Sequence, residues 1–186
     1  MTKNLIVLLI IFIANSAGAQ TGFGFVKGTI VSKQGDTLIC LVERALDYSD
    51  KVFYKMQEND EVSKMKVKDI KSLKTPVAEY ENIPIDKKEK LMLLKSKGKI
   101  NLYSFTSAGE SKRTTIAGYG MSQSTFDFNY VIKKKDRIQL LTKENFKQAF
   151  LEFTKDCAAL VTEINSSSYN LNDINTILTD YENCGK

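Results

Sequence analysis

The sequence predicts an α+β protein, an antiparallel β-hairpin-rich sheet or partly closed barrel followed by a C-terminal α-helical hairpin. Two observations carry that expectation. From Gly22 to about Leu141, short runs rich in Val, Ile, Phe and Tyr alternate with polar turns, the texture of short strands. After Thr142 the apolar residues recur every three and four positions, the period of a helix that buries one face. The expected organisation is a signal segment over 1–19, a β-rich body over 20–141, and a helical hairpin over 142–186 packed on the same core.

The amino end reads as a secretory signal. Lys3 supplies a positive charge, Leu5 to Ala14 is an unbroken apolar run, and Ala17-Gly18-Ala19 has the small-x-small pattern of a cleavage site. The apolar run is about half the roughly 20 residues needed to span a bilayer, and Asn15 and Ser16 interrupt it. Cleavage is expected between Ala19 and Gln20. No cysteine follows the apolar run, so a lipid-anchored product is not expected, and no later segment resembles a membrane span. The expected destination of the mature chain is outside the cytoplasm.

The body is read as hairpins in order. Val26 to Ser32 and Thr37 to Glu43 flank Lys33-Gln34-Gly35-Asp36, where Gly35 can take a positive φ. Lys51 to Met56 and Val62 to Val67 flank an acidic turn, Gln57 to Glu61. Leu91 to Lys95 and Ile100 to Phe105 flank Ser96-Lys97-Gly98-Lys99, and Phe126 to Ile132 and Arg137 to Leu141 flank Lys133 to Asp136. Connections this short forbid parallel crossovers. Thr106 to Ser124 is rich in Ser, Thr and Gly with little periodicity, and is expected to be a long mobile loop. Loops on a rigid scaffold often carry function, which makes Gly118, Tyr119 and Gly120 the candidate contact residues.

In the tail, Phe146, Ala149, Phe150, Phe153, Cys157, Leu160, Val161 and Ile164 form one helical stripe, with Thr142 as the predicted N-cap. Asn165 to Asn170 breaks it, and a second helix carries Leu171, Ile174, Leu178 and Tyr181 with Asn170 as its cap. Export permits disulfides. The favoured arithmetic is one bridge, Cys157 to Cys184, with Cys40 buried and free in an apolar strand. There is no CxxC pair or Cys/His cluster, so zinc-finger and thioredoxin-type sites are not expected.

Composition excludes more chemistry than it suggests. The chain has no histidine, which removes Ser-His-Asp and Cys-His catalysis and most zinc or iron sites. No catalytic residue, metal or cofactor is therefore assigned. Glu58, Asp60 and Glu61 cluster at a turn but lack the spaced ligands and turn glycine of a calcium loop. Asp127 and Glu43 are available acids without a visible partner. Loss of Lys3 with the signal lowers the net charge from +5 to +4, and the excess is lysine rather than arginine. Lysine is a hydrated point charge rather than a bidentate phosphate or base reader, so no nucleic-acid partner is expected. The series Lys64, Lys66, Lys68, Lys71 and Lys74, with Tyr103 and Phe105, is the alternative signal for an anionic-polymer binder. Phe126, Phe128 and Tyr130 alternate along one strand as either a stacking platform or ordinary sheet core.

Several of these segments together resemble a family of short exported proteins of unknown function from Bacteroidota-type Gram-negative bacteria. The likeness rests on Gly28-Thr29-Ile30-Val31 followed by Gly35-Asp36-Thr37-Leu38, on Val52 to Lys55, and on Lys68 to Leu73. It continues in Phe128 to Lys134, in Asp156 to Leu160, and in Tyr169-Asn170 and Tyr181-Glu182-Asn183-Cys184. Cys40 stands where that family pattern has a glycine. The resemblance implies a fold and a bacterial-envelope compartment rather than a mechanism. The functional expectation is a non-catalytic binding or interaction module with a protein or glycan partner. The alternatives are a carboxylate-based hydrolase of envelope polymers and a lysine-rich anionic-polymer binder.

Overall fold

A computed structural model describes residues 24–44, 50–108, 112–116, 119–123, 126–167 and 169–185. Residues 1–19, the Ala19–Gln20 cleavage position and Gly118 lie outside the described residues.

Twelve strands precede three helices in the described chain. The first hairpin is β1 (Phe25–Ser32) and β2 (Thr37–Glu43), turned by Gly35 at φ 97°. Gly35 lies in the left-handed region that only glycine enters without strain. The second hairpin is β3 (Lys51–Lys55) and β4 (Ser63–Lys66). A single 3-10 turn, Val67–Asp69, leads into β5 (Ile70–Lys74), then β6 (Glu79–Ile85), β7 (Lys88–Ser96) and β8 (Asn101–Ala108). The remaining strands are β9 (Lys112–Ile116), β10 (Tyr119–Gln123), β11 (Phe126–Lys134) and β12 (Arg137–Leu141).

Ten of these strands form one sheet in the order β12-β11-β8-β7-β6-β5-β1-β2-β3-β4, with every neighbouring pair antiparallel. The sheet is open, with β12 and β4 at its edges, so the α+β expectation holds without barrel closure. The Thr106–Ser124 region is not the loop expected. Strand β8 runs to Ala108, and β9 and β10 make a separate antiparallel hairpin that contains Tyr119 and Gly120. Thr114, Thr115 and Ile116 are β-branched and favour extended backbone, a preference masked in the sequence by the surrounding Gly and Ser.

Three buried clusters lie on this sheet. Leu102 and Ile132 are direct partners across β8 and β11 and belong to the cluster under the helices. Their chain neighbours Tyr103 and Val131, also partners, point to the opposite face with Ile83 and Met92. The third cluster, Ile30, Cys40, Val42, Val52, Val67, Ile70 and Leu73, sits at the β1–β5 end. Cys40 is buried and free.

The tail is three helices, α1 (Phe146–Phe153), α2 (Ala158–Ser166) and α3 (Ile174–Asn183). Thr142 caps the entry to α1: its Oγ1 accepts from the Asn145 N–H at 3.2 Å, and Asn145 Oδ1 accepts from the Thr142 N–H at 2.8 Å. This is a capping box with Asn in the third position. Phe146, Phe150 and Phe153 are buried on the sheet, each contributing about 1.5–3 kcal/mol by transfer from water. The expected continuous first helix is instead broken after Phe153. The buried Thr154 turns its hydroxyl back to the Phe150 carbonyl at 2.7 Å, and Lys134 on β11 donates to the Phe153 carbonyl at 2.9 Å. A lysine at a helix C-terminus satisfies an orphan carbonyl and complements the dipole. The apolar stripe passes through the break because Phe153 and Cys157 both stay buried across the intervening turn. Asn170 caps the second half as expected, with Oδ1 accepting from Asn172 and Asp173 Oδ2 accepting from the Asn170 N–H at 2.8 Å.

Cys157, at the break, is joined to Cys184, just after α3, with 6.1 Å between their Cα atoms. Beside the bridge, Tyr181 Oη donates to Asp156 at 2.7 Å and receives a bond from Lys134, whose Nζ also reaches Asp156 Oδ2 at 3.0 Å. The Tyr181 ring carries Lys134 at 4.8 Å and Lys99 at 5.5 Å from its centroid. Lys99 Nζ donates to the Tyr181 carbonyl at 3.2 Å and the Cys184 carbonyl at 2.8 Å. The helical tail is thus fastened to the β7–β8 turn and to β11 by side chains from both.

Candidate functional groove

A groove of about 390 Å³ opens beside β5, β6 and the β7–β8 turn, lined by Lys71, Lys74, Glu79, Glu81, Lys97 and Tyr103 among others. It adjoins a second recess of about 530 Å³ that shares Lys74, Glu79 and Lys97 and is rimmed by the Thr75–Ala78 turn. That turn is tight: the Thr75 N–H donates to the Ala78 carbonyl at 2.8 Å, and the Ala78 N–H donates to Thr75 Oγ1 at 3.1 Å. It presents Val77 almost wholly to solvent.

Strand order builds the polar centre of the groove. Glu81 on β6 lies opposite Met92 on β7, β7 pairs with β8, and β8 pairs with β11. Glu81 therefore meets Tyr103 of β8 and Lys133 of β11, and accepts a hydrogen bond from each. Tyr103 is 1 % exposed, and its hydroxyl also accepts from Asn101 Nδ2 at 3.2 Å. Burial pushes Glu81 up, but the bonds from Lys133 and Tyr103 and the charges of Lys133 and Lys71 outweigh it, leaving the carboxyl below its ordinary range. Burial, and then the bond to Glu81, drive the Tyr103 hydroxyl well above the usual tyrosine range. Glu79 is likewise lowered, first by the hydrogen bond from Lys74.

The opposite wall is placed by the turn after β7. Asn101 Oδ1 accepts from the Gly98 N–H at 3.1 Å, and the Lys99 N–H donates to Glu182 of α3. These contacts hold the segment on which Lys97 stands. Among the described residues, no ion pair involves Lys71 or Lys97.

The residues singled out in the sequence are distributed differently. Lys64 and Lys66 lie on the edge strand β4, whereas Lys71 and Lys74 lie on β5, with three strands between the two in the sheet. The lysine series is not one track. Tyr103 is core rather than a stacking surface, and Phe105 is half-buried with Lys90 over its ring at 4.1 Å. On β11, Tyr130 packs on the helical core while Phe128 is 72 % exposed. Asp60 Oδ2 accepts from the Gln57 N–H at 2.9 Å, so that carboxylate closes its own turn. Glu43 ends β2 and Asp127 lies on β11, away from each other in the strand order.

Glu81, Asn101, Lys133 and Lys97 were not singled out together by any sequence pattern. They are spread over separate segments of the chain, and only the order β6-β7-β8-β11 converges them. Comparison with protein-family models, curated proteins and solved structures finds no match to this chain.

Proposed function

We propose that the chain is an exported, non-catalytic binding module of a bacterial cell envelope, with the groove as its contact site. The observation that carries the reading is the state of the groove's carboxylates. Glu81 and Glu79 are both held by lysines and both lowered, so neither retains a proton to give at neutral pH. A carboxylate-based hydrolase needs one carboxyl raised toward the working pH. Every described carboxylate whose pKa is displaced is displaced downward, including Glu89, Glu144, Glu152 and Asp156. Tyr103, raised by burial, is no base either.

Export is supported by the charged, apolar and small-residue pattern before Gln20 and by the joined Cys157–Cys184 pair, which suits an oxidising compartment. Among the described residues, no helix is long and apolar enough to cross a membrane. The resemblance to exported Bacteroidota-type proteins favours the periplasm, the outer-membrane surface or the medium, and a protein or glycan partner. The test uses the protein recovered from the envelope or medium of producing cells. Mass spectrometry is expected to place its amino terminus at Gln20. Incubated with purified peptidoglycan and lipopolysaccharide, it is expected to release no soluble sugar. Release that disappears in Glu81→Gln would overturn the non-catalytic reading.

A further inference from the structure

We infer that the groove beside β5 and the β7–β8 turn binds a ligand carrying at least two phosphate or carboxylate groups. The inference rests on the binding-module reading and names the ligand class for its site. Five charged side chains line the groove, Lys71, Lys74 and Lys97 against Glu79 and Glu81. Both acids are already engaged: Glu79 by Lys74, and Glu81 by Lys133 from β11. Lys71 and Lys97 remain without an ion pair among the described residues, on different walls of the same recess. Lys71 acts on Glu81, and Lys97 on Glu79, through their charges rather than by contact. Each acid is thus shared by two lysines, and the excess positive charge repels itself and focuses a positive potential in the concavity. An occupant with two anionic groups relieves that repulsion; a single anion satisfies one lysine and leaves the other.

The walls are built to hold this arrangement. Lys97 stands on a turn bound to Asn101 within the sheet and to Glu182 of α3. Lys71 belongs to β5, at the bulge where Ser72 and Ile70 face the successive residues Val31 and Ser32 of β1, and one residue before the pairing of β5 with β6 begins at Ser72. The floor is closed by the Glu81–Tyr103–Asn101 hydrogen bonds, whose members are mutually engaged and give the floor a fixed shape. A recess of about 390 Å³ falls within the usual range of small-ligand sites. It accommodates a compact polyanion rather than the length of a polymer.

The test is a titration of the isotope-labelled, exported protein, followed by amide NMR shifts, with pyrophosphate, citrate and inorganic phosphate as separate probes. Pyrophosphate or citrate is expected to shift amides of Lys71–Lys74, Glu79–Glu81 and Lys95–Asn101, and inorganic phosphate to bind at least about tenfold more weakly. Which of the two stronger probes prevails tells phosphate from carboxylate recognition. The double variant Lys71→Gln/Lys97→Gln is expected to lose about tenfold or more in affinity, with its dispersed spectrum reporting that it is folded. Lys64→Gln/Lys66→Gln, with the same charge change on edge strand β4, is expected to bind as the parent does. Equal losses in the two double variants would overturn the inference. So would inorganic phosphate binding as tightly as pyrophosphate, or neither polyanion binding below about 10 mM. That last result would leave the non-catalytic reading untouched, because sugar release is measured separately.

Discussion

Reducing the Cys157–Cys184 bridge should cost the protein a large part of its stability. The bridge spans 27 residues of sequence. In the chain-entropy treatment, closing a loop of that length removes roughly 12 cal/mol/K from the unfolded ensemble, or about 3.5 kcal/mol at 25 °C. The loop it closes contains α2 and α3, whose own attachments to the sheet are few: the buried stripe of Leu160, Ile164, Ile174 and Ile177, the Lys134–Asp156–Tyr181 cluster, and the Lys99 bonds. For a domain of this size each kcal/mol corresponds to about 2–4 °C in Tm, so reduction should lower Tm by about 7–14 °C. The assay is thermal unfolding of one preparation with and without a phosphine reductant, with mass spectrometry reporting the thiol state. Thiol counting on the unreduced, denatured protein should find one free cysteine, Cys40. A fully reduced protein that melts within a degree or so of the oxidised one would refute the reasoning. Its meaning would be that the reduced unfolded ensemble is as restricted as the bridged one, so the bridge adds no stability beyond the tail's packing.

The ion cluster beside the bridge should show its own pH window. The Asp156 carboxyl is pulled from 3.8 to about 2 by the hydrogen bonds from Tyr181 and Lys134. A lowered carboxyl stabilises the fold above its unfolded pKa and loses that contribution as pH falls through the folded value. Because Asp156 is more than half exposed, the contribution is screened to about 1 kcal/mol or less. Tm curves of the parent and Asp156→Asn should therefore be separated at pH 7 and converge between pH 4 and about 2; a gap unchanged across that range would count against the cluster. At Gly28, an added Cβ would stand 2.8 Å from Val42 Cγ2 and 3.1 Å from the Lys74 carbonyl oxygen. Overpacking against backbone costs about 1–3 kcal/mol, so Gly28→Ala should lower the denaturant midpoint without changing the slope. A variant as stable as the parent would show that β1 and β2 can separate there at no cost.

The hairpins were legible where local chemistry specifies the turn. Gly35 marks the β1–β2 turn, and the polar segments after β3, β7 and β11 mark the others. The β6–β7 hairpin was not. Its turn residues Asp86 and Lys87 take φ 49° and 64° without glycine or asparagine to announce it. Pro84 also argues against a strand, yet it is tolerated because the pairing of β6 with β5 ends at Glu81. Beyond that point Asn82 reaches across to the Val67 and Ile70 carbonyls at 2.7 Å, so a side chain replaces the missing ladder. The helix break was invisible for a related reason: the stripe of Phe150, Phe153, Cys157 and Leu160 records burial, and burial continues through the turn. At the break the Phe153 carbonyl is taken by Lys134, a residue on another element, beside the Thr154 hydroxyl that turns back to Phe150.

By itself, the sequence determined those features whose causes lie within a few residues of one another. These are the antiparallel hairpins, the change of period at Thr142, the caps at Thr142 and Asn170, and the exclusion of histidine chemistry. Tertiary structure alone decided that the sheet stays open and that β11 pairs with β8 across the β9–β10 hairpin. It also set which lysines keep a neighbouring carboxylate. The groove belongs to that second kind. Glu81, Tyr103 and Lys133 are separated by 22 and 52 positions from Glu81 outward, and only strand order brings their side chains within hydrogen-bonding reach. Local propensity selects strands and turns; the charge left over at a surface is set by non-local pairing.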